Sequence, residues 1–190
     1  MIANQTPDDL RSKSEHTRER LLKIALREFN KKGMDQVTMR DLAKAAALSL
    51  GAFYYHFSNK EEIVGVFYER RQVEFKKGVI DAQLDTVNFE KRLMKILRQR
   101  IRTFEPNRHL LLALTRSAID PRSPISPFGE GTRKIREDAI GLFAEVISGS
   151  DLKTSRSLKP HLASLLWMLM MGVVLYWVYD ESGGQKKLNA

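Results

Sequence analysis

Between Leu162 and Tyr179 the chain runs for eighteen residues, LASLLWMLMMGVVLYWVY, without a single charge. As a helix this segment is apolar on every face, and such a helix must be covered all round. At about 1.5 Å per residue it would reach roughly 27 Å, whereas a bilayer core of about 30 Å usually asks for about 20 residues. Trp167, Tyr176, Trp177 and Tyr179 have the character of interface aromatics, so a membrane anchor at 162–179 stands as an alternative. The segment is single, however, and amphipathic helices precede it. Burial in a soluble helical body, shared between a core and a subunit interface, accounts for it better.

The rest of the chain can supply that body. Apolar residues fall at one-face helical spacing at Leu21, Leu22, Ala25, Leu26 and Phe29, and again at Ile63, Val64, Phe67, Tyr68 and Phe75. The same spacing returns over 89–104 and over 131–148, and a last helix is expected over 157–181. Residues 109–119 are apolar enough to be buried. Pro121, Pro124, Pro127 and Gly129 mark a loop that no helix crosses. No strand alternation and no repeat is present, so the fold class is all-α. The expected organisation is a flexible basic arm (1–13), a small helical head (14–60) and a helical body (61–190). Without a Pro- or Gly-rich linker, head and body are expected to share one long helix rigidly.

Helix ends are marked in the head. Gly33 follows Lys31 and Lys32 as a C-terminal cap. Thr38 and Asp41 have capping-box spacing, with Val37 and Leu42 placed as a hydrophobic staple. Ser49 suits an N-cap, and Ser58 and Glu61 have capping-box spacing before the long helix.

Composition narrows the function. The net charge is +9, and residues 10–60 carry eleven basic against five acidic side chains, a charge density more than twice that of residues 61–190. A basic module beside a less charged body suits a polyanion at one end of the molecule. There are no cysteines, which removes disulfides, thiolate nucleophiles and zinc–thiolate sites. The first twenty residues lack the apolar core of a secretory signal, so a cytoplasmic location is expected. His16, His56, His109 and His161 are scattered, with no HExxH pair and no Gly-rich phosphate loop. Neither catalysis nor a cofactor or metal is expected.

Thr38 to Phe57 form two short helices joined by a tight turn, and the second presents a polar and aromatic face. That is the form of a helix-turn-helix, which lays its second helix in the major groove of DNA. The run Thr38, Arg40-Asp41-Leu42-Ala43, Ala46, Leu48-Ser49, Gly51, Phe53-Tyr54-Tyr55-His56-Phe57-Ser58-Asn59-Lys60-Glu61 resembles the DNA-binding signature of the tetracycline-repressor (TetR/AcrR) family of bacterial regulators. The likeness covers about residues 14–64. It implies a homodimer on a palindromic operator, with a C-terminal pocket for a small apolar or amphipathic effector that releases the DNA. It makes Thr38 a phosphate-contacting cap and puts Ser49, Gly51, Tyr54, Tyr55, His56 and Lys60 on the DNA face. Hydroxyls, an imidazole and an ammonium suit phosphate oxygens.

Two departures from the family pattern matter. Ala47 stands where the family's turn usually has Gly, and a left-handed alanine costs about 1–2 kcal/mol. Leu50, Gly51 and Ala52 leave the recognition helix without Arg, Asn or Gln, the usual bidentate partners of guanine and adenine. Leu50 and Ala52 suit thymine methyls. Hydrogen-bonded base readout then falls to Arg40 and Lys44, or to Arg11, Lys13 and Arg18 from the arm, with Arg40 the foremost candidate.

In the body, Met94, Leu97, Ile101, Phe104, Leu112, Trp167, Met168 and Met171 are candidate pocket residues, since Met and aromatic side chains adapt to varied ligands. Ile135, Ala139, Leu142, Leu165, Gly172 and Tyr176 are candidates for a two-fold helical interface. Eight cations between Lys91 and Arg116 face a single acid, Glu105. Such a cluster is usually a solvated face, and the alternative is attraction of an anionic effector through Arg98 or Arg102. A nonspecific architectural DNA binder remains the other reading of the head.

Overall fold

The computed structural model describes residues 7–81 and 87–181. Every regular element among them is helical. The chain divides into two compact units, Met1–Phe67 and Tyr68–Ala190. The division falls inside the long shared helix, seven residues beyond the boundary expected from the sequence.

In the first unit α1 spans Pro7–Lys32. Residues 7–13 are thus helical and not part of a non-periodic arm, while residues 1–6 of that arm lie outside the described residues. Leu21, Leu22, Ala25 and Phe29 form the buried face. Gly33 closes the helix at φ +81°, its N–H donating to the Phe29 carbonyl at 2.8 Å.

Helix α2 (Met39–Ala45) begins with the expected reciprocal cap. The Asp41 N–H donates to Thr38 Oγ1 at 3.1 Å and the Thr38 N–H to Asp41 Oδ2 at 2.9 Å. Val37 and Leu42 are both buried against this end. The turn then passes through Ala47 at φ +55°, in the left-handed region. Ser49 caps α3 (Leu50–His56), accepting from the Ala52 N–H at 3.1 Å.

Helix α4 (Lys60–Asp81) starts one residue later than the Ser58–Glu61 spacing implies. Asn59 Oδ1 accepts from the Glu62 N–H at 2.7 Å, and Glu62 Oε2 accepts from the Ser58 N–H at 2.7 Å. Asn59 is therefore the cap, and Glu62 reaches back to the residue before it, not to the cap's own N–H. Phe53, Phe57, Ile63, Val64 and Phe67 complete the first core.

The second unit contains the rest of α4 with α5 (Phe89–Phe104), α6 (Arg108–Ala118), α7 (Arg133–Ser148) and α8 (Lys159–Tyr179). Helix α8 packs against α5, α6 and α7. The core joins Phe75, Val79, Ile96, Phe143, Val146, Leu166, Trp167 and Met170. It also holds Ala139 and Leu142, at 2% and 4% exposure. Those two were expected at a subunit interface. Amphipathic α7 has one apolar stripe, and the subunit's own core uses it.

The cationic run of 91–116 is not one solvated face. Arg92 is buried and its guanidinium donates to the Val146 and Glu145 carbonyls at 3.1 and 3.2 Å. A β-carbon at Gly149 would come within 2.5 Å of that guanidinium, so the glycine lets it reach the end of α7. Arg108 does the same for α8, donating to the Trp177 carbonyl at 3.2 Å and to the Asp180 carbonyl. Two arginines thus answer the orphan carbonyls and negative dipole ends of α7 and α8.

The Ala47 conformation yields a stability prediction. Ala47→Gly relieves a left-handed strain of about 1–2 kcal/mol, partly offset by the greater freedom of glycine in the unfolded chain. Urea titration should show the first unit stabilised by about 0.5–1 kcal/mol. An unchanged or lowered midpoint would show that the turn carries no such strain.

Candidate functional site

Two sites emerge, one in each unit. On the first, α3 turns Phe53 and Phe57 inward, both at 0% exposure, and leaves the opposite face open. Ser49, Gly51, Ala52, Tyr54 and Tyr55 are all exposed there. Tyr55 is 81% exposed, an unusual place for a large aromatic ring. Ser49 Oγ uses a lone pair on the Ala52 N–H, which leaves its own hydrogen for an outside acceptor. Leu50 is half-buried.

Arg40 and Lys44 lie one turn apart on α2, exposed, and neither has an ion-pair partner among the described residues. Thr38 is differently engaged from the expectation. Its hydroxyl donates to Asp41 Oδ2 at 2.6 Å, so its hydrogen serves the cap. These two hydrogen bonds, from the Thr38 hydroxyl and backbone, hold the Asp41 carboxyl below its usual range.

The open face is braced from behind by Arg18. Its guanidinium donates to the His56 carbonyl and to Glu62 Oε1 at 2.7 Å, and lies 4.2 Å from the Phe57 ring centroid. One side chain therefore ties α1, the end of α3 and the start of α4. Arg18, a candidate base reader from the sequence, is consumed by this structural role. Lys60 likewise donates to the Met34 carbonyl at 2.8 Å. Burial, and then the Arg18 charge, hold the His56 imidazole below its ordinary value, so it is neutral at pH 7. Its ring meets Tyr55 edge-on, centroids 5.1 Å apart.

The second site is a cavity of about 380 Å³ within the second unit. Of the eight residues expected to line a pocket, Phe104, Trp167, Met168 and Met171 do so. Met94 and Leu112 are instead 40% and 41% exposed on the outer sides of their helices. Leu97 packs onto the core, and Ile101 is half-buried. The missed part comes from elsewhere in the chain: Tyr68 and Gln72 on α4, Leu111 and Thr115 on α6, and Pro127 and Phe128 in the proline-rich loop. Ile135, expected at the interface, also lines the cavity. Phe128 meets Trp167 edge-on at 5.4 Å. Arg136 fastens that loop, donating to the Pro127 and Gly129 carbonyls at 3.0 and 2.9 Å.

Arg100, not Arg98 or Arg102, is the cationic residue that enters this cavity from α5. Arg98 and Arg102 point to solvent. The Arg100 guanidinium lies 3.5 Å from the Phe75 ring centroid and 5.2 Å from that of Phe104. Its Nη2 donates to Gln72 Oε1 at 2.8 Å. Burial draws its pKa down to about 9.

Helix α8 also keeps an apolar stripe outside the core. Leu165, Leu169, Gly172, Tyr176 and Tyr179 are exposed at alternating steps of four and three residues, the spacing of a helix–helix seam. Leu165, Gly172 and Tyr176 are the three expected interface residues that remain open.

These features define an all-helical protein with a helix-turn-helix head and a body that carries an apolar cavity. The chain belongs to the tetR family. Residues 21–66 match the family of bacterial regulatory proteins, tetR family, and residues 92–190 match the tetracyclin repressor-like C-terminal domain. The regulator AcrR of Shigella flexneri is 32% identical over 59 residues, 31% of this chain and 27% of that protein. TtgR of Pseudomonas putida is 37% identical over 54 residues, 28% of this chain and 26% of that one. The likeness spans only about a quarter of these relatives' length. A crystal structure of a TetR-family regulator from Syntrophomonas wolfei is similar in fold, with a TM-score of 0.71 over 92% of this chain and 89% of that one at 17% identity.

The Arg18–Glu62 tie has a definite pH sign. Burial raises the Glu62 carboxyl, but hydrogen bonds from Arg18 and Ser58 outweigh it and leave the value below the ordinary one. The folded value lies under the unfolded one, so the stabilisation is complete above about pH 5 and is lost as pH falls through the folded value. Both partners are about one-third exposed, so the pair contributes roughly 0.5–1 kcal/mol. Glu62→Gln should lower head stability by that amount at pH 7 and flatten its acid-side loss. Parallel acid melts of wild type and variant would contradict the assignment.

Proposed function

We propose that this chain is a cytoplasmic, sequence-specific DNA-binding transcription regulator: a homodimeric repressor that leaves a palindromic operator when a small effector fills the body cavity. The observation that carries the reading is the open face of α3. A helix that buries two phenylalanines and holds Tyr55 almost wholly in solvent is built for a partner, and cations flank it. Ser49, Tyr54, Tyr55 and neutral His56 meet phosphates as hydrogen-bond donors, which fixes register without reading sequence. Gly51 and Ala52 let the helix approach closely, and Leu50 meets a thymine methyl. Arg40 reads a base edge, with Lys44 beside it. Thr38 acts chiefly as the cap that orders α2, and Lys60 chiefly as a brace.

The outer stripe of α8 supports the dimer, because two copies of it can cover each other across a two-fold axis. The cavity supports an effector response. Tyr68 and Gln72 line it from α4, the helix whose first two turns belong to the head, so an occupant that displaces them acts on an element common to both units. The relatives that match part of the chain are regulators, and the family is one of regulators and not of catalysts.

The test is selection of bound duplexes from a random pool by detergent-free protein at physiological salt. A palindromic consensus is expected. Binding without a consensus would point to a nonspecific architectural protein, and a protein that needs detergent would revive an anchor at 162–179. In the selected duplex, Arg40→Ala should relax preference at one base pair per half-site by about 1–3 kcal/mol. Tyr55→Phe should weaken all sequences alike. A uniform loss with Arg40→Ala would make Arg40 a phosphate contact instead.

A further inference from the structure

We infer that the cavity selects an amphipathic carboxylate of about a dozen non-hydrogen atoms, its head on Arg100 and Gln72 and its tail among the methionines and aromatics. This rests on the effector-responsive reading above and names the ligand class.

The polar lining is lopsided. Arg100 and Gln72 are each 5% exposed, and both line the cavity. Each retains a buried donor without an acceptor, Nε of Arg100 and Nε2 of Gln72. Two orphan donors in one cavity lack an acceptor, not another donor. No acidic side chain is among the described lining residues, and among the described residues Arg100 meets no carboxylate: its contacts are the Gln72 amide oxygen and two phenylalanine rings. An uncompensated buried guanidinium is costly, and a ligand anion is the species that offsets it through charge-assisted hydrogen bonds. The second arginine, Arg136, already spends Nη1 on two loop carbonyls. One deeply buried cation favours a single negative charge over a dianionic phosphate.

The remaining lining fixes the tail. Phe104, Leu111, Trp167, Met170, Met171 and Val178 offer only apolar surface and polarizable sulfur. A volume of about 380 Å³, at roughly 30 Å³ per water-sized group, holds about a dozen heavy atoms, the size of a medium-chain fatty acid.

The experiment is calorimetric titration of the full chain with decanoate and with decan-1-ol, which share a tail and differ in the charged head. Wild type should bind decanoate at least about tenfold more tightly. Arg100→Met should abolish that preference while decanol binding persists, and Arg100→Lys should retain part of it. Gln72→Leu should weaken decanoate selectively. A purely structural Arg100, packed between phenylalanine rings, would not move the ratio between the two ligands. Equal binding of both by wild type, an outcome independent of any variant's folding, would overturn the inference, as would an undiminished preference in Arg100→Met.

Release from the selected duplex, followed in the same samples, separates the two readings. Selective decanoate binding without release sustains the ligand class and overturns the effector response. Release by decanol as readily as by decanoate sustains the response and overturns the carboxylate.

Discussion

A helix with no polar face has to find cover in every direction, and in this protein the covering of α8 organises the body. One side, Leu166, Trp167, Met170, Val174, Trp177 and Val178, is buried in the subunit. Trp167, Met170, Val174 and Val178 of that side also line the cavity, with Met168, Met171, Gly172 and Leu175. The Leu165–Leu169–Gly172–Tyr176 stripe lies open, and Gly172 belongs to both. Core, cavity wall and proposed dimer seam thus overlap on one element. A ligand that shifts α8 by a fraction of a side chain acts on all three, because packed interiors do not deform freely.

Arginine supplies the polar counterpart of that apolar frame. Arg92 and Arg108 are held by backbone carbonyls at the ends of α7 and α8, and Arg18 by a carbonyl and a carboxylate in the head. Each of these charges has an evident local partner. Arg100 differs, since among the described residues an amide oxygen and two aromatic rings are the polar and aromatic groups that meet it. The contrast among four buried or half-buried arginines, three satisfied and one short of an anion, sets the cavity apart from ordinary core.

Much of the architecture was legible from the residues. Helix α5 falls at 89–104 as its apolar spacing indicates, the Thr38–Asp41 box and Ser49 cap form, and Ala47 takes the left-handed turn. These are local signals, settled within a few residues of chain. The failures share a cause of a different kind. Periodicity shows that Ala139 and Leu142 are covered but not by what, so a core stripe was taken for an interface. The same blindness placed Met94 and Leu112 in a pocket lined instead from α4, α6 and a loop. The charged run of α5 and α6 looked solvated because a buried arginine is recognised only when the distant carbonyl or ring that receives it is in view. At Ser58, two capping residues in succession left the register open by one, and Glu62 rather than Glu61 reaches back to the Ser58 N–H.

The claim on which the whole account turns is that the open stripe of α8 is covered by a second copy of the chain. Sedimentation equilibrium in detergent-free buffer at micromolar concentration tests it directly. The account predicts twice the 21.8 kDa chain mass for wild type, and a shift to the single-chain mass for Leu169→Glu with helical content retained. A wild-type protein that stays at the single-chain mass throughout that range would contradict it.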